Sequence, residues 1–306
     1  MSTVKNLQQK ISIITPCYNQ EAYVAETLQS IFNQNYNNLQ YIFVDGASTD
    51  NTLEIVNGYK EKIDVLISEP DEGQYPAVNK GMSLAEGEIM AWLNADDMYF
   101  PWTFSIVNEI FERFPDVHWI TGLPSFINDK GQCIRMLNNP VGSPRDWIAN
   151  GWFRFHLGGY LMQESMFWRK TLWEKAGGLN ETLKLASDFD LWTRFAKQTE
   201  LVTVSVPLAA FRMLPGRQRS SLQKDVYERE IDEICRKLKK PNTIWNYLAS
   251  KGFIMRSLCR LVQIRRAPVI SYSRNGCWTK RNIINTISKV SLPAMKVEYD
   301  INQHAE

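Results

Sequence analysis

The first 95 or so residues alternate short β-branched runs with stretches of helical periodicity, and this alternation confines the chain to layered α/β architectures. Ile11–Thr15 (ISIIT) reads as a buried strand closed by Pro16. Val24, Leu28, Ile31 and Phe32 then share one helical face. Tyr41–Val44 (YIFV) is a second strand, followed by the polar turn DGASTD, where Ser48 or Asp50 can cap a helix carrying Leu53, Val56 and Tyr59. Val65–Ile67 is a third strand, Val78, Met82 and Ala85 mark another helix, and Ile89–Leu93 (IMAWL) is a fourth strand. A β-α-β-α order predicts an open, mainly parallel sheet with helices on both faces, and such sheets bind ligands outside the carboxyl ends of their strands. The residues that follow each strand therefore matter most. They are Tyr18 and Asn19, Asp45, Glu69 to Asp71, and Asp96 with Asp97. Three of these four places carry carboxylates to one rim.

Farther along, Ile106, Ile110 and Phe114 mark a helix leading to a strand at His118–Thr121. Residues 124–151 are rich in turn signals and suit a hairpin. Short helices are expected at Thr171–Ala176, ended by Gly177-Gly178, and at Phe189–Ala196, with a strand at Leu201–Val206. From Leu222 onward the pattern becomes helical and basic. The chain thus divides into residues 1–216, the layered α/β unit, and residues 217–306, a helical basic extension.

Several function classes are excluded by what is missing. The segment GxxxxGKS of the P-loop is absent, as are GxGxxG after the first strand, the GxSxG elbow and HExxH. The five cysteines contain no CxxC pair, which speaks for reduced thiols rather than a disulfide framework or cysteine–zinc site. No run of eighteen apolar residues occurs and the N-terminus lacks a secretory h-region, so a cytoplasmic protein is expected. Carboxylate and metal chemistry on an open sheet remains.

Three places carry that chemistry. Adjacent Asp96 and Asp97, at a strand end after Asn94, can hold a hard divalent cation that bridges a diphosphate; the same pair suits a solvated turn or helix cap. Asp45 can accept a hydrogen bond from a base or ribose, or cap a helix, and Tyr18 can stack on a base or pack on the sheet edge. In SDFDLWTRF, Asp190 faces Arg194 at the i+4 position, which leaves Asp188 at the helix start. There it either caps the helix or deprotonates an attacking hydroxyl from a cleft.

Six segments in order resemble the family 2 glycosyltransferases, whose fold is GT-A. They are ISIITPCYNQE, YIFVDGASTDNT, SEPDEGQY, AVNKGMSLAEGEIMAWLNADDMYFP, QESMFWRKTLWEKAGGLNETL and ASDFDLWTRFA, and they cover roughly residues 10–215. The resemblance implies a nucleotide site formed by Pro16, Tyr18, Asp45 and Asp96, with Tyr18 stacked on the base and Asp45 bonded to it. It implies Mn²⁺ or Mg²⁺ held by Asp97 and Asp96, and Asp188 as the base of an inverting, in-line displacement. The partners implied are a nucleotide-sugar donor, UDP-linked by family habit, and a glycan or lipid-linked acceptor. Four positions depart from the pattern: Asn94 replaces the first Asp of DxD, Pro76 an Asp, Ser187 the Glu of ED, and Leu214 a His after FRM. QxxRW is missing, so one sugar per acceptor is expected rather than polymerisation. A catalytically silent binding module of the same fold is the alternative, and a nucleotidyltransferase a third reading disfavoured by its missing Gly-rich loop.

The net charge of +2 conceals a segregation. Between Cys235 and Val297 there are fourteen Lys and Arg and no Asp or Glu, which leaves 21 basic against 33 acidic residues elsewhere. Trp245, Leu248, Phe253 and Leu258 interleave with Lys251, Arg256, Arg260 and Arg265. That composition suits a helix on an anionic membrane surface, at the inner face of the cytoplasmic membrane, or one docked on the acidic body. No nucleic-acid reader motif accompanies it.

Overall fold

The computed structural model describes residues 8–137, 143–151, 161–216, 222–238, 266–273 and 275–284. The tail helix expected around Trp245 to Arg265 lies outside these residues. The chain opens with β1 (Ile11–Cys17), α1 (Val24–Phe32), β2 (Leu39–Asp45), α2 (Thr52–Asn57), β3 (Val65–Ser68), α3 (Gln74–Ser83) and β4 (Ile89–Trp92). Next come β5 (Met98–Tyr99), α4 (Thr103–Arg113), β6 (Trp119–Thr121), β7 (Ser125–Ile127), β8 (Cys133–Met136) and α5 (Arg145–Ala149). The remaining elements are β9 (Met166–Arg169), α6 (Lys170–Ala176), α7 (Ser187–Gln198), β10 (Val202–Val204), β11 (Ala209–Arg212), α8 (Lys224–Lys237), β12 (Arg266–Tyr272) and β13 (Trp278–Ile284).

Among the described residues nine strands form the main sheet, in the order β13-β12-β10-β6-β9-β4-β1-β2-β3. Neighbouring strands run parallel except where β9 enters between β4 and β6 and where β13 closes a hairpin on β12. A smaller sheet, β5-β11-β7-β8, includes the hairpin expected in the turn-rich segment. Strand order reverses at β1, because β2 and β3 lie on one side and β4 on the other. Such a reversal opens a crevice at the carboxyl ends.

Pro16 does not close β1, which continues to Cys17. The reason lies in the ladder. The Ile14 carbonyl bonds Leu93 N–H on the β4 side, while the Cys17 carbonyl bonds Gly46 N–H on the β2 side. By alternation Pro16 faces β4, whose pairing has already ended at Ile14 with Trp92, so its missing N–H costs no ladder bond. This is also where the crevice begins.

Alternation along the strands splits the core into two layers. Ile11, Ile13 and Ala91 pack with Leu28, Ile31, Phe104 and Ile110 of α1 and α4. Ile14, Met90 and Trp92 pack with Val78, Met82, Leu191 and Phe195 of α3 and α7. Gly81 lets α3 lie directly on β1, since a Cβ there would stand 2.6 Å from Ile14. In the second layer Trp192 is stacked between Trp92, at 5.8 Å and 7°, and Trp119, at 5.4 Å and 23°. Contacts of this kind add about 0.5–1.5 kcal/mol each beyond the area they bury.

Residues 266–284 differ from the helical reading of the extension. They form a β-hairpin whose β12 pairs with β10, and Ala267 and Ile270 are fully buried. The open edge of β10 supplies the template, which local propensity could not anticipate. No helix among the described residues is long and apolar enough to cross a membrane.

Candidate active site

The first two parallel strands deliver their loops side by side, and hydrogen bonds lace them together. Ser48 Oγ accepts Asn19 N–H at 2.8 Å, and Asn19 Oδ1 accepts Thr49 N–H at 2.8 Å. Asn19 and Ala47 both adopt positive φ, 52° and 61°, so the loops carry backbone strain at this rim. Tyr18 is 58% exposed there, its ring open for stacking. Asp45 is fully buried. Its Oδ2 accepts Ser48 N–H at 3.0 Å and Ser68 Oγ–H at 2.7 Å, and its Oδ1 accepts the Ser48 hydroxyl. In this arrangement the Asp45 carboxylate shapes the turn and offers the two serine hydroxyls, rather than its own oxygens, as its outer polar groups.

The two acids after β4 separate into different environments. Asp96 is half-buried, and burial raises its carboxyl above the usual range. Asp97 is 1% exposed; Oδ1 accepts Arg212 N–H at 2.8 Å, and the charges of Asp96 and Glu164 add to burial in holding its pKa far up. Arg212, itself 1% exposed, ties the small sheet to this turn. Its Nε donates to the Asp96 carbonyl at 2.6 Å, Nη1 to Asn128 O at 3.0 Å and Nη2 to Glu26 at 2.6 Å, while its guanidinium covers the Tyr23 ring at 4.8 Å. Asn94 relays between Gln74, whose Nε2 donates to Asn94 Oδ1 at 2.6 Å, and Asp97 Oδ2, to which Asn94 Nδ2 donates at 3.4 Å. An Asp at position 94 would set two carboxylates against each other, so Asn suits this turn. Pro76 occupies the third position of α3, where an N–H has no intrahelical partner, so the ring costs the helix nothing.

Asp188 stands in the first turn of α7, half-buried, with Oδ1 accepting Phe189 N–H at 2.7 Å. Burial pushes its carboxyl up to about 6; Glu230 adds to this while backbone N–H groups oppose it. Asp190 pairs with Arg194 at 2.8 Å, as the helical spacing requires. Glu230, on α8, accepts the N–H groups of Lys184, Leu185 and Ala186 at 2.7–3.0 Å. Thus a helix from the extension fixes the loop that leads into Asp188.

One carboxylate escaped the sequence reading. Glu164 precedes β9, which runs antiparallel to β4 and β6, so the residues before it reach the rim that the other strands reach with their carboxyl ends. Gln163 Nε2 donates to Trp92 O at 2.7 Å, and Ser165 Oγ lies 2.9 Å from Thr121 Oγ1, so the turn is held on both sides. Glu164 is 2% exposed, and burial, with the charges of Asp96 and Asp188, pushes its carboxyl well up. Arg212 and Glu230 were missed as well. A lone Arg on a short strand and a Glu in a charged helix carry no sequence signal.

Among the described residues no three His, Cys, Asp or Glu form a ready-made metal cage. Of the two acids Asp96 is the more accessible, while Asp97 is buried against Arg212. That donor set fits a hard dication which takes its other oxygens from a diphosphate and water, and does not fit a site that holds metal unaided.

The sheet order and the rim of carboxylates define the GT-A type of fold. Comparisons agree: S. aureus TarS 1-349 in complex with UDP-GlcNAc superposes with a TM-score of 0.59 at 20% identity, covering 76% of this chain and 68% of that one. A mannosyltransferase of Pyrobaculum calidifontis in complex with GDP-Man and Mn²⁺ gives 0.55 at 19% identity, covering 84% and 70%. The profile of Glycosyl transferase family 2 matches residues 12–171, more than half of the sequence, and the chain belongs to that family. An uncharacterized glycosyltransferase of Rickettsia typhi is 28% identical over 61% of this chain and 58% of its own length. A PGL/p-HBAD biosynthesis glycosyltransferase of Mycobacterium bovis is 24% identical over 71% and 82%. The chain spans 30–60% of the length of four Rickettsia relatives that it matches.

Proposed function

We propose that the chain transfers one sugar from a nucleotide-sugar, a UDP-sugar, to a hydroxyl of a glycan or lipid-linked acceptor, with inversion at the anomeric carbon. The observation that carries this reading is the half-buried Asp188, with its carboxyl at about 6, on the same rim as Asp96. A base of that strength is ionised at neutral pH yet basic enough to share the proton of an attacking hydroxyl. The first turn of α7 and the Phe189 N–H orient it, and Glu230 fixes the loop that carries it.

Tyr18 stacks on the base, and the Asp45–Ser48–Ser68 cluster meets the base edge or ribose, with Pro16 as the floor beneath. Asp96 would hold Mn²⁺ or Mg²⁺, and Asp97, expected beside it as a ligand, accepts the Arg212 N–H and in this reading supports Asp96 through that residue. Bound there, the ion supplies positive charge to the departing nucleoside diphosphate. The UDP-GlcNAc, GDP-Man and Mn²⁺ complexes of the structural neighbours support this assignment. For the extension, the unbalanced basic charge supports contact with an anionic membrane surface, which would hold the site near lipid-linked acceptors. Salt-independent failure to sediment with anionic vesicles would rule that out.

The test is calorimetric titration of UDP into the full chain with Mn²⁺, then with chelator. Metal-dependent binding followed by turnover of a UDP-sugar is the expected result. Silence toward UDP, GDP and TDP alike would refute it.

A further inference from the structure

Several buried side-chain atoms of the described residues lack a hydrogen-bond partner, and one of them is a carboxylate oxygen at this rim. Glu164 Oε1 is buried and has no hydrogen-bond partner, although its neighbours Gln163 and Ser165 are both bonded. Folding alone gives no reason to keep such an oxygen: an apolar side chain of similar size would fill the space without an unsatisfied acceptor. Its surroundings supply a reason. Glu164 is within electrostatic reach of both Asp96 and Asp188. It also stands just before β9, which lies between β4 and β6 in the sheet, at the rim where β4 ends.

In an in-line displacement the anomeric carbon lies between the leaving diphosphate and the attacking hydroxyl. Asp96 marks the diphosphate end and Asp188 the hydroxyl end. A group within reach of both faces the sugar in transit. We propose that Glu164, held at the rim between β4 and β6 with an unpartnered oxygen, is the residue that recognises the transferred sugar, by a hydrogen bond to one of its ring hydroxyls. A turn of the carboxyl about its terminal bond brings that oxygen to the donor, and the bond distinguishes a hexose carrying the hydroxyl from one lacking it or presenting it on the other ring face. This inference rests on the nucleotide-sugar reading above and extends it to the choice of donor.

The experiment compares wild type, Glu164→Gln and Glu164→Ala as full chains with Mn²⁺. Each is titrated with UDP and with UDP-glucose, UDP-galactose and UDP-N-acetylglucosamine, and KM for donor and acceptor is measured where turnover occurs. UDP affinity should stay within about twofold in both variants, while affinity for the UDP-sugar that wild type prefers falls about tenfold or more in Glu164→Ala. Glu164→Gln, which keeps an oxygen and the shape, should fall less and relax the preference among the three sugars. Equal losses for UDP and UDP-sugar, no loss in either, or a change confined to acceptor KM would each overturn the proposal. If wild type itself binds no nucleotide, the nucleotide-sugar reading falls and takes this inference with it. A variant effect without sugar discrimination removes the inference alone. Thermal melting separates all of these from misfolding, and Glu164→Gln, which keeps the side-chain volume, is the control for the cavity that Glu164→Ala leaves.

Discussion

Replacing Asp188 with Asn should stabilise the protein while destroying its activity, and the size of the effect follows from the site. A carboxyl moved from its ordinary 3.8 to about 6 is one the folded protein prefers neutral, by about 3 kcal/mol. The sign follows from linkage. Below pH 4 the group is protonated both folded and unfolded, and this preference is fully present as stability. As pH rises from about 4 through 6, the unfolded chain releases its proton first and that stability is lost. At pH 8 the wild type therefore carries the full cost, which Asn removes while its oxygen still accepts Phe189 N–H. Because Asp188 is half-buried, water screens part of the term, and about 2 kcal/mol is expected. For a chain of this size that corresponds to a melting temperature about 3 °C higher for the variant at pH 8. The gap should close toward pH 4. Calorimetric melting of both proteins across that range, with UDP binding and turnover alongside, measures it. A gap that is flat with pH, or a variant less stable at pH 8, would refute the electrostatic account of Asp188. Turnover should fall about a thousandfold with UDP affinity unchanged, and a loss of both together would remove Asp188 from the role of base.

Other expectations follow from the same geometry. Wild-type turnover should decline about tenfold per pH unit below 6, as the base becomes protonated, which a pH–rate profile reads directly. Asp96→Asn should abolish the Mn²⁺ dependence of UDP binding, whereas Asp97→Asn, whose oxygen still accepts Arg212 N–H, should keep most of it; calorimetry of the two separates ligand from anchor. Arg212→Lys should cost about 3 kcal/mol in denaturant unfolding, because one ammonium cannot serve Asp96 O, Asn128 O and Glu26 together. Glu230→Gln should cost about 2 kcal/mol and lower turnover more than UDP affinity, since its amide would turn a donor toward the N–H groups of residues 184–186.

What the sequence made legible depended on strand direction. Tyr18, Asp45 and Asp96 follow parallel strands, so periodicity alone located them at the rim. The Asp190–Arg194 pair was legible because i+4 spacing is a local rule. Glu164 was not, since it lies before a strand and reaches the rim only because that strand is reversed, a property of pairing rather than of any local pattern. Arg212 and Glu230 act through backbone carbonyls and N–H groups more than a hundred and some forty-five residues away in sequence, respectively. The β12–β13 hairpin was hidden by Pro268 and by a basic composition that reads as surface. Asp97 shows the limit of a motif. Two adjacent acids look equivalent in the chain, and only the fold makes Asp97 buried against Arg212 and leaves Asp96 half-buried.

The indole stack has an optical consequence. Trp92 lies two residues before Asn94, and Trp192 lies one helical turn beyond Asp188, so the ring-on-ring contact joins the strand that leads to Asp96 to the helix that carries Asp188. Two chromophores 5.8 Å apart with nearly parallel ring planes couple their excited states, and that coupling changes steeply with separation and tilt. The near-ultraviolet circular dichroism of the protein is thus a built-in ruler between its two halves. A donor that draws α7 toward β4 would be seen in that signal without any label.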